Sequence, residues 1–145
     1  MELLTPRFGP IAFDPQEVIV FEQGLQGWKE LRQWLLLADR HHPALLWLQS
    51  IRRPLVALPV VCLQPGPGLH VRLSRARLAD LARSPEDPWV LLVTLVHDDS
   101  HLSLDLQHPI LIDAGSHRGL QLCDEGDQAL QHARSDQLVR LRKSA

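Results

Sequence analysis

The apolar positions of this chain fall into short runs that are separated by turn-forming residues. Clusters of Asp, Pro and Gly bound the runs, which are rich in Val, Leu, Ile and Trp. Runs of this length and composition are typical of β-strands. The pattern predicts strands over residues 18–21, 34–38, 45–49, 55–64 and 89–96. The last of these has the continuous apolar character of a central strand covered on both faces.

Weaker patterns complete the β assignment. Two short strands, 3–8 and 11–13, are predicted to flank a tight turn at Gly9-Pro10. Residues 102–106 alternate between apolar and polar, as in a half-buried strand, and 109–113 with 120–123 form a predicted hairpin. Pro59 is expected at an edge or a bulge, because proline cannot donate to a ladder.

One helix interrupts the strands. Leu78 and Leu81 lie three apart within residues 75–83, Ser74 is the N-cap candidate, and Pro85 follows the end. Residues 124–145 are polar and suggest a peripheral C-terminal helix or tail. We therefore expect an all-β, mainly antiparallel fold: a small closed or nearly closed β-barrel with one or two short helices, whose domain spans 1–123.

Composition narrows the functional classes. The 145 residues carry a net charge of −2, which does not suggest a nucleic-acid-binding protein. No apolar run approaches the ~18–20 residues of a membrane span, and the N-terminus lacks a secretory signal pattern. Cys62 and Cys123 are too few for a zinc framework and suit a reducing compartment. The expectation is a cytoplasmic monomer without a cofactor, a direct nucleic-acid partner or a membrane partner.

No motif in the sequence selects a catalytic residue. Nucleophile elbow, phosphate-binding loop and dinucleotide fingerprint are all missing from the sequence, so we predict a non-enzyme. His97 and His101 flank two aspartates, and this mixture can ligate divalent metals. The alternative hypothesis is therefore a small β-barrel metal-binding enzyme or ligand carrier that uses this turn.

The strand Leu45-Leu46-Trp47-Leu48-Gln49-Ser50 ends in two hydrogen-bonding side chains. A buried amide left without a partner costs ~1–3 kcal/mol, so Gln49 must find partners if it is buried. Either the pair satisfies the backbone of its own strand end, or it belongs to a recognition surface.

Three segments resemble the family of the flagellar assembly factor FliW. The first is Val18-Ile19-Val20-Phe21-Glu22-Gln23-Gly24-Leu25-Gln26-Gly27-Trp28, and the second is Trp47-Leu48-Gln49-Ser50 with the apolar strand after it. The third runs from Asp105 to Asp113 and continues to Arg118-Gly119-Leu120-Gln121. They occur in the family's order and spacing over about residues 1–123.

The resemblance implies a β-barrel protein that binds partners and catalyses nothing. Members of the family bind flagellin and the RNA-binding regulator CsrA, so competition between these partners would set the free pool of each. The resemblance and the residue types together select the following candidate protein-binding residues: Phe21, Gly24, Gly27, Trp28, Trp47, Gln49, Ser50, Asp105, Pro109, Asp113, Arg118 and Gln121.

Each candidate also has a structural interpretation. The two glycines fit turn geometry, Trp28 and Trp47 fit core packing, and the two aspartates fit turn caps. The chain departs from the family in placing Asp105 and Asp113 where asparagines are usual and His108 where alanine is usual, and it has no tyrosine. These departures bear on the choice of partner more than on the fold.

Overall fold

The computed structural model describes residues 1–63 and 89–122. The predicted helix at 75–83 and the predicted tail at 124–145 lie outside these residues, as does Cys123. Among the residues described, no helix is long and apolar enough to cross a membrane.

The chain begins with a separate two-stranded hairpin. Strands β1 (Glu2–Thr5) and β2 (Gly9–Ala12) pair antiparallel, from Glu2 opposite Ala12 to Thr5 opposite Gly9. Gly9-Pro10 therefore begins the second strand, and the turn lies at residues 6–8, where the Thr5 hydroxyl accepts from the Phe8 N–H at 2.9 Å. The predicted position of the turn was wrong because this side chain closes the loop before the glycine is reached. A short 3-10 helix, Pro15–Glu17, follows.

Eight further strands form one sheet. They are β3 (Ile19–Phe21), β4 (Gln33–Ala38), β5 (Leu45–Ser50), β6 (Ala57–Leu63), β7 (Trp89–Asp98), β8 (His101–Leu104), β9 (Ile110–Asp113) and β10 (Arg118–Gln121). The order is β6-β5-β4-β3-β10-β9-β7-β8, and β6 also pairs with β7. Seven of these strands thereby close a barrel, while β8 extends it from the far half of β7. The all-β barrel prediction is confirmed.

All pairings in the barrel are antiparallel except one. Strands β3 and β10 run parallel, with Val20 opposite Arg118 and Phe21 opposite Gly119. This pair joins an early strand to the last described strand. Because the two strands run in the same direction, the loop after β3 and the end of β10 lie at the same end of the barrel. The candidate site is at this end.

The barrel interior holds the main hydrophobic core. Trp34, Phe21 and Leu48 are completely buried there, and the Trp34 indole N–H donates to the Leu31 carbonyl at 3.0 Å. At roughly 25 cal/mol per Å² of apolar area, burying side chains of this size is the main stabilising contribution. Cys62 packs half-buried against this core, and burial raises the pKa of its thiol, which keeps it protonated.

Pro59 lies where the ladder between β6 and β7 has not yet begun. It is opposite Trp47 on β5, whereas the pairing with β7 starts at Val60 opposite Thr94. The missing N–H therefore costs no hydrogen bond. At Pro59, β6 has a neighbouring strand on one side only, which agrees with the expected edge position.

Two predicted strands begin earlier in the structure than the sequence suggested. The 102–106 segment forms a strand over His101–Leu104, and Leu102 is 64% exposed because β8 extends beyond the closed barrel. In the second hairpin, β10 begins at Arg118 because residues 114–117 already complete the turn. The local pattern of apolar and polar residues predicts neither the extension of β8 beyond the barrel nor the length of the turn before β10.

Candidate functional site

The loop after β3 is a compact turn that glycine geometry fixes. Leu25 and Trp28 exchange backbone hydrogen bonds across it, and Gly27, at the third position, has a φ of 83°, as a type II turn requires. Gly24 has a φ of 67°, and a Cβ there would lie 2.6 Å from the Lys29 Cα. Its backbone thus packs directly against the returning chain. Both glycines have a structural reason, and together they fix the shape of the loop.

Gln121 ties this loop to the opposite part of the sequence. Its Oε1 accepts from the Gln26 N–H at 2.6 Å, and its Nε2 donates to the His108 carbonyl at 3.0 Å. The side chain is only 7% exposed, so neither bond competes much with water. The side-chain amide of Gln121 thereby connects the first of the three family-like segments to the third.

Gln49 and Ser50 hold the turn between β5 and β6. The Gln49 Nε2 donates to the carbonyls of Ser50 and Pro54 at 2.9 Å, with Val56 at 3.3 Å, and the residue is fully buried. The Ser50 Oγ accepts from the Arg53 N–H at 3.1 Å. Of the two interpretations of this pair, the contacts favour the strand end that satisfies its own backbone. The Gln49 Oε1 has no partner among the residues described.

The turn that Gln49 holds meets the glycine loop. The Arg53 guanidinium lies 5.9 Å from the centre of the Trp28 ring and 3.6 Å from the Glu30 carboxylate. The first and second segments are therefore neighbours, and Gln121 adds the third. We call this side of the barrel, made of residues 22–32, 51–56, 105–109 and Gln121, the motif end.

Two of the departures from the family pattern contact each other at the motif end. The His108 Nδ1 lies 3.0 Å from an Asp105 carboxylate oxygen, and both side chains are about one quarter exposed. The other oxygen of Asp105 accepts from the Gln107 N–H at 3.2 Å. This contact between the acid and the imidazole closes the connection from β8 to the buried Pro109, and an alanine at position 108 could not make it.

A groove of about 300 Å³ opens beside this loop, where β6 and the far half of β7 diverge. Its walls are mainly apolar, and Asp105 is the one carboxylate among them. The lining residues are Leu25, Gln26, Leu58, Pro59, Thr94, Leu95, Val96, His97, Asp105 and Gln121. Because strand pairing begins only at Val60 opposite Thr94, the wall at Leu58 and Pro59 faces the groove rather than a neighbouring strand. This concavity suits apolar side chains of a protein partner.

Comparison with known proteins places the chain in a family. A sequence model described as FliW protein matches residues 2–134. The chain belongs to the FliW family. It is similar to a flagellar assembly factor FliW of Geobacter sulfurreducens, with 30% identity over 97% of this chain and 90% of the relative. The corresponding protein of Caldanaerobacter subterraneus subsp. tengcongensis is also 30% identical, over 90% of this chain and 89% of the relative.

A solved structure supports the fold. The crystal structure of a flagellar assembly factor FliW matches with a TM-score of 0.75 over 90% of this chain and 93% of that chain, at 24% sequence identity. Family membership confirms the resemblance found in the sequence. It makes the chain a flagellar assembly factor, which is a regulatory protein rather than an enzyme.

Some predicted site residues of this FliW-family chain lie away from the motif end. The buried Asp113 caps the β9–β10 turn at the opposite end, where its carboxylate accepts from the Gly115 N–H and the Ser116 hydroxyl at 3.0 Å. Arg118 also follows that turn, but its guanidinium lies 3.8 Å from the carboxylate of Glu22, which belongs to the motif end. Their part in binding stays a prediction.

Trp47 lies half-buried on the outside of the barrel. The Arg7 guanidinium lies 4.3 Å from the centre of its ring, Phe8 meets it edge-on, and its indole N–H donates to Asp39 at 3.0 Å. These contacts dock the N-terminal hairpin onto β5. They give the tryptophan a structural role distinct from that of Trp28.

Sequence reasoning missed the groove wall formed by Leu58, Leu95 and Val96. The available signal was Pro59 itself, since a proline within a strand marks an interruption in the ladder and therefore an opening between strands. His97 is a wall residue here. Within the described segments, no three His, Cys, Asp or Glu side chains are grouped to hold a metal ion, so the alternative metal hypothesis gains no support.

Proposed function

We propose that this chain regulates flagellar assembly in the cytoplasm by binding flagellin, CsrA or both, and that the groove at the motif end receives the partner. The observation that carries the proposal is the convergence of three sequence segments on one concavity. Leu25 and Gln26 come from the first segment, Leu58 and Pro59 from the apolar strand of the second, and Asp105 and Gln121 from the third.

The buried residues of the segments support this role indirectly. Gln121 fixes the glycine loop against residues 105–109, so one wall of the groove is rigid before a partner arrives. Preorganisation of this kind reduces the ordering cost of binding. Gln49 and Ser50 do the same for the neighbouring turn. In this proposal, fully buried side chains support a binding surface that they do not touch.

Partner switching follows from mass action if flagellin and CsrA exclude each other on this chain. A partner in excess by a hundredfold over its Kd occupies the chain almost completely and lowers the free chain available to the other. Export of flagellin would then release the chain to capture CsrA. The proposed mechanism needs a binding surface and no chemical step.

Binding to the two proposed partners from the same organism tests the function directly. Val96, which is 42% exposed in the groove wall, is replaced in a V96D variant that places an unpaired carboxylate in an apolar contact. The matched control is L102D, because Leu102 is 64% exposed on the same hairpin but does not line the groove.

We expect titration calorimetry to show micromolar or tighter binding of at least one partner. V96D should weaken it at least tenfold, or about 1.4 kcal/mol, while L102D leaves it unchanged. If neither flagellin nor CsrA is retained at micromolar concentration, the proposed function is wrong. If both variants bind normally, the partner does not use the groove.

A further inference from the structure

A group of cations lies beside the groove on the glycine loop and the β5–β6 turn. Residues 28–33 and 51–56 contain four cationic side chains and one carboxylate, although the whole chain has a net charge of −2. All four cations are exposed: Lys29, Arg32, Arg52 and Arg53. Only Arg53 is paired, with Glu30 at 3.6 Å; the other three form no ion pair within the described segments. We call these four residues the basic rim.

The backbone register places two of the unpaired cations at neighbouring positions. The Ile51 N–H donates to the Gln33 carbonyl at 3.1 Å, which continues the β4–β5 pairing one step beyond Trp34 opposite Ser50. The next residue in each of the two segments is an arginine: Arg32 precedes Gln33, and Arg52 follows Ile51. Like charges at neighbouring positions repel each other, and an anion held between them would relieve that repulsion.

The rim is built on rigid backbone. Gln49 and Ser50 fix the turn that carries Arg52, as described above, and the Arg32 carbonyl accepts from the Phe21 N–H at 2.8 Å. A charged surface whose backbone is already ordered loses less entropy when it binds.

An apolar side chain stands on the same turn. Leu55 is 80% exposed, the most exposed of the large hydrophobic residues among those described. A ligand that matches this turn must therefore offer carboxylates or phosphates together with an apolar group.

We propose that the basic rim, with Leu55, binds an acidic segment of a partner protein that carries an apolar side chain between its carboxylates. A protein segment fits better than RNA, because the exposed Leu55 beside the cations offers an apolar contact, and the Arg53 guanidinium already lies 5.9 Å from the centre of the Trp28 ring. The surface is separate from the groove, and a basic partner would be repelled here. The inference therefore does not depend on the proposed function.

The test uses a fluorescently labelled twelve-residue peptide in which a central leucine is flanked by glutamates. Anisotropy is measured for the intact chain, for R32E/R52E and for L55S. R40E is the matched control, because Arg40 is an exposed cation on the connection at the far end of β4. The same peptide with lysines, and a single-stranded RNA of equal charge, complete the set of ligands.

We expect the acidic peptide to bind and to weaken as salt is added, since the contacts are partly exposed. R32E/R52E should lose at least tenfold in affinity, L55S several-fold, and R40E nothing. R52E alone, which places a carboxylate near Arg32 in place of a second cation, should retain the intact chain's melting temperature and still bind more weakly. This variant separates loss of charge from loss of fold.

Three results would overturn the proposal: no binding of the acidic peptide, an equal loss in R40E, or tighter binding of the RNA through the same arginines. The V96D variant should bind the peptide normally. Failure at the rim is thereby distinguished from failure of the groove.

Discussion

Replacing Gln49 by glutamate is expected to unfold the β5–β6 turn in a pH-dependent way. In the native chain the Gln49 Nε2 faces three carbonyl oxygens, and the residue is fully buried. In Q49E a carboxylate oxygen would face the same carbonyls, with no donor among them. The matched variant Q49L has a similar volume and no charge.

The magnitudes follow from what each variant leaves unpaired. Q49L orphans the Ser50 and Pro54 carbonyls, while the Val56 carbonyl keeps its bond from the Ser50 N–H at 3.0 Å. It also removes the unpaired Oε1. Each orphaned carbonyl costs about 1–3 kcal/mol, and the lost Oε1 offsets part of that. Q49E buries an uncompensated charge, for which about 3–5 kcal/mol is typical, a large share of the 5–15 kcal/mol that stabilises a domain.

The pH dependence has a definite sign. Burial against carbonyls raises the folded-state pKa of the new carboxyl above its unfolded value of about 4.3. Stability is therefore best preserved below the unfolded pKa and falls, by up to about 1.4 kcal/mol per pH unit, as pH rises towards the folded pKa. Urea unfolding of both variants between pH 4 and pH 7.5, followed by tryptophan fluorescence, measures the effect.

The comparison is between the two variants at each pH, so the other titrating groups cancel. If Q49E is as stable as Q49L at pH 7, or if the difference between them does not change with pH, Gln49 does not donate to these carbonyls. The account of the turn, and of the rigidity of the basic rim, would then be wrong.

Two further predictions test other parts of the fold. G119A should cost about 1–3 kcal/mol in urea unfolding, because the new Cβ would lie 2.7 Å from Cζ of the completely buried Phe21; unchanged stability would contradict this close packing. The hydrogen bond from Trp47 lowers the pKa of Asp39, so its contribution to stability is present above the unfolded pKa and is lost as pH falls through the folded value. W47F should return that pKa towards its ordinary value in a carboxyl NMR titration, and an unmoved pKa would exclude the bond as its cause.

Apolar runs and turn residues were sufficient to predict most of the strands. The runs at 34–38 and 45–49 predicted β4 and β5 to within a residue. Such strands can be predicted because both the apolar run and the turn residues that bound it are adjacent in the sequence. Pro59 likewise marked a gap in the ladder. The ordered segments also identified the family before any geometry was known.

Only the tertiary structure decided how those segments meet. Gln26 and Gln121 are 95 residues apart, and their hydrogen bond exists because β3 and β10 pair in parallel to close the barrel. Pairing between distant strands depends on register and on burial of the whole core, which local periodicity does not encode. For the same reason Asp113, predicted with the others, lies at the opposite end. The sequence determined which segments identify the family; the closure of the barrel determined which of them share a surface.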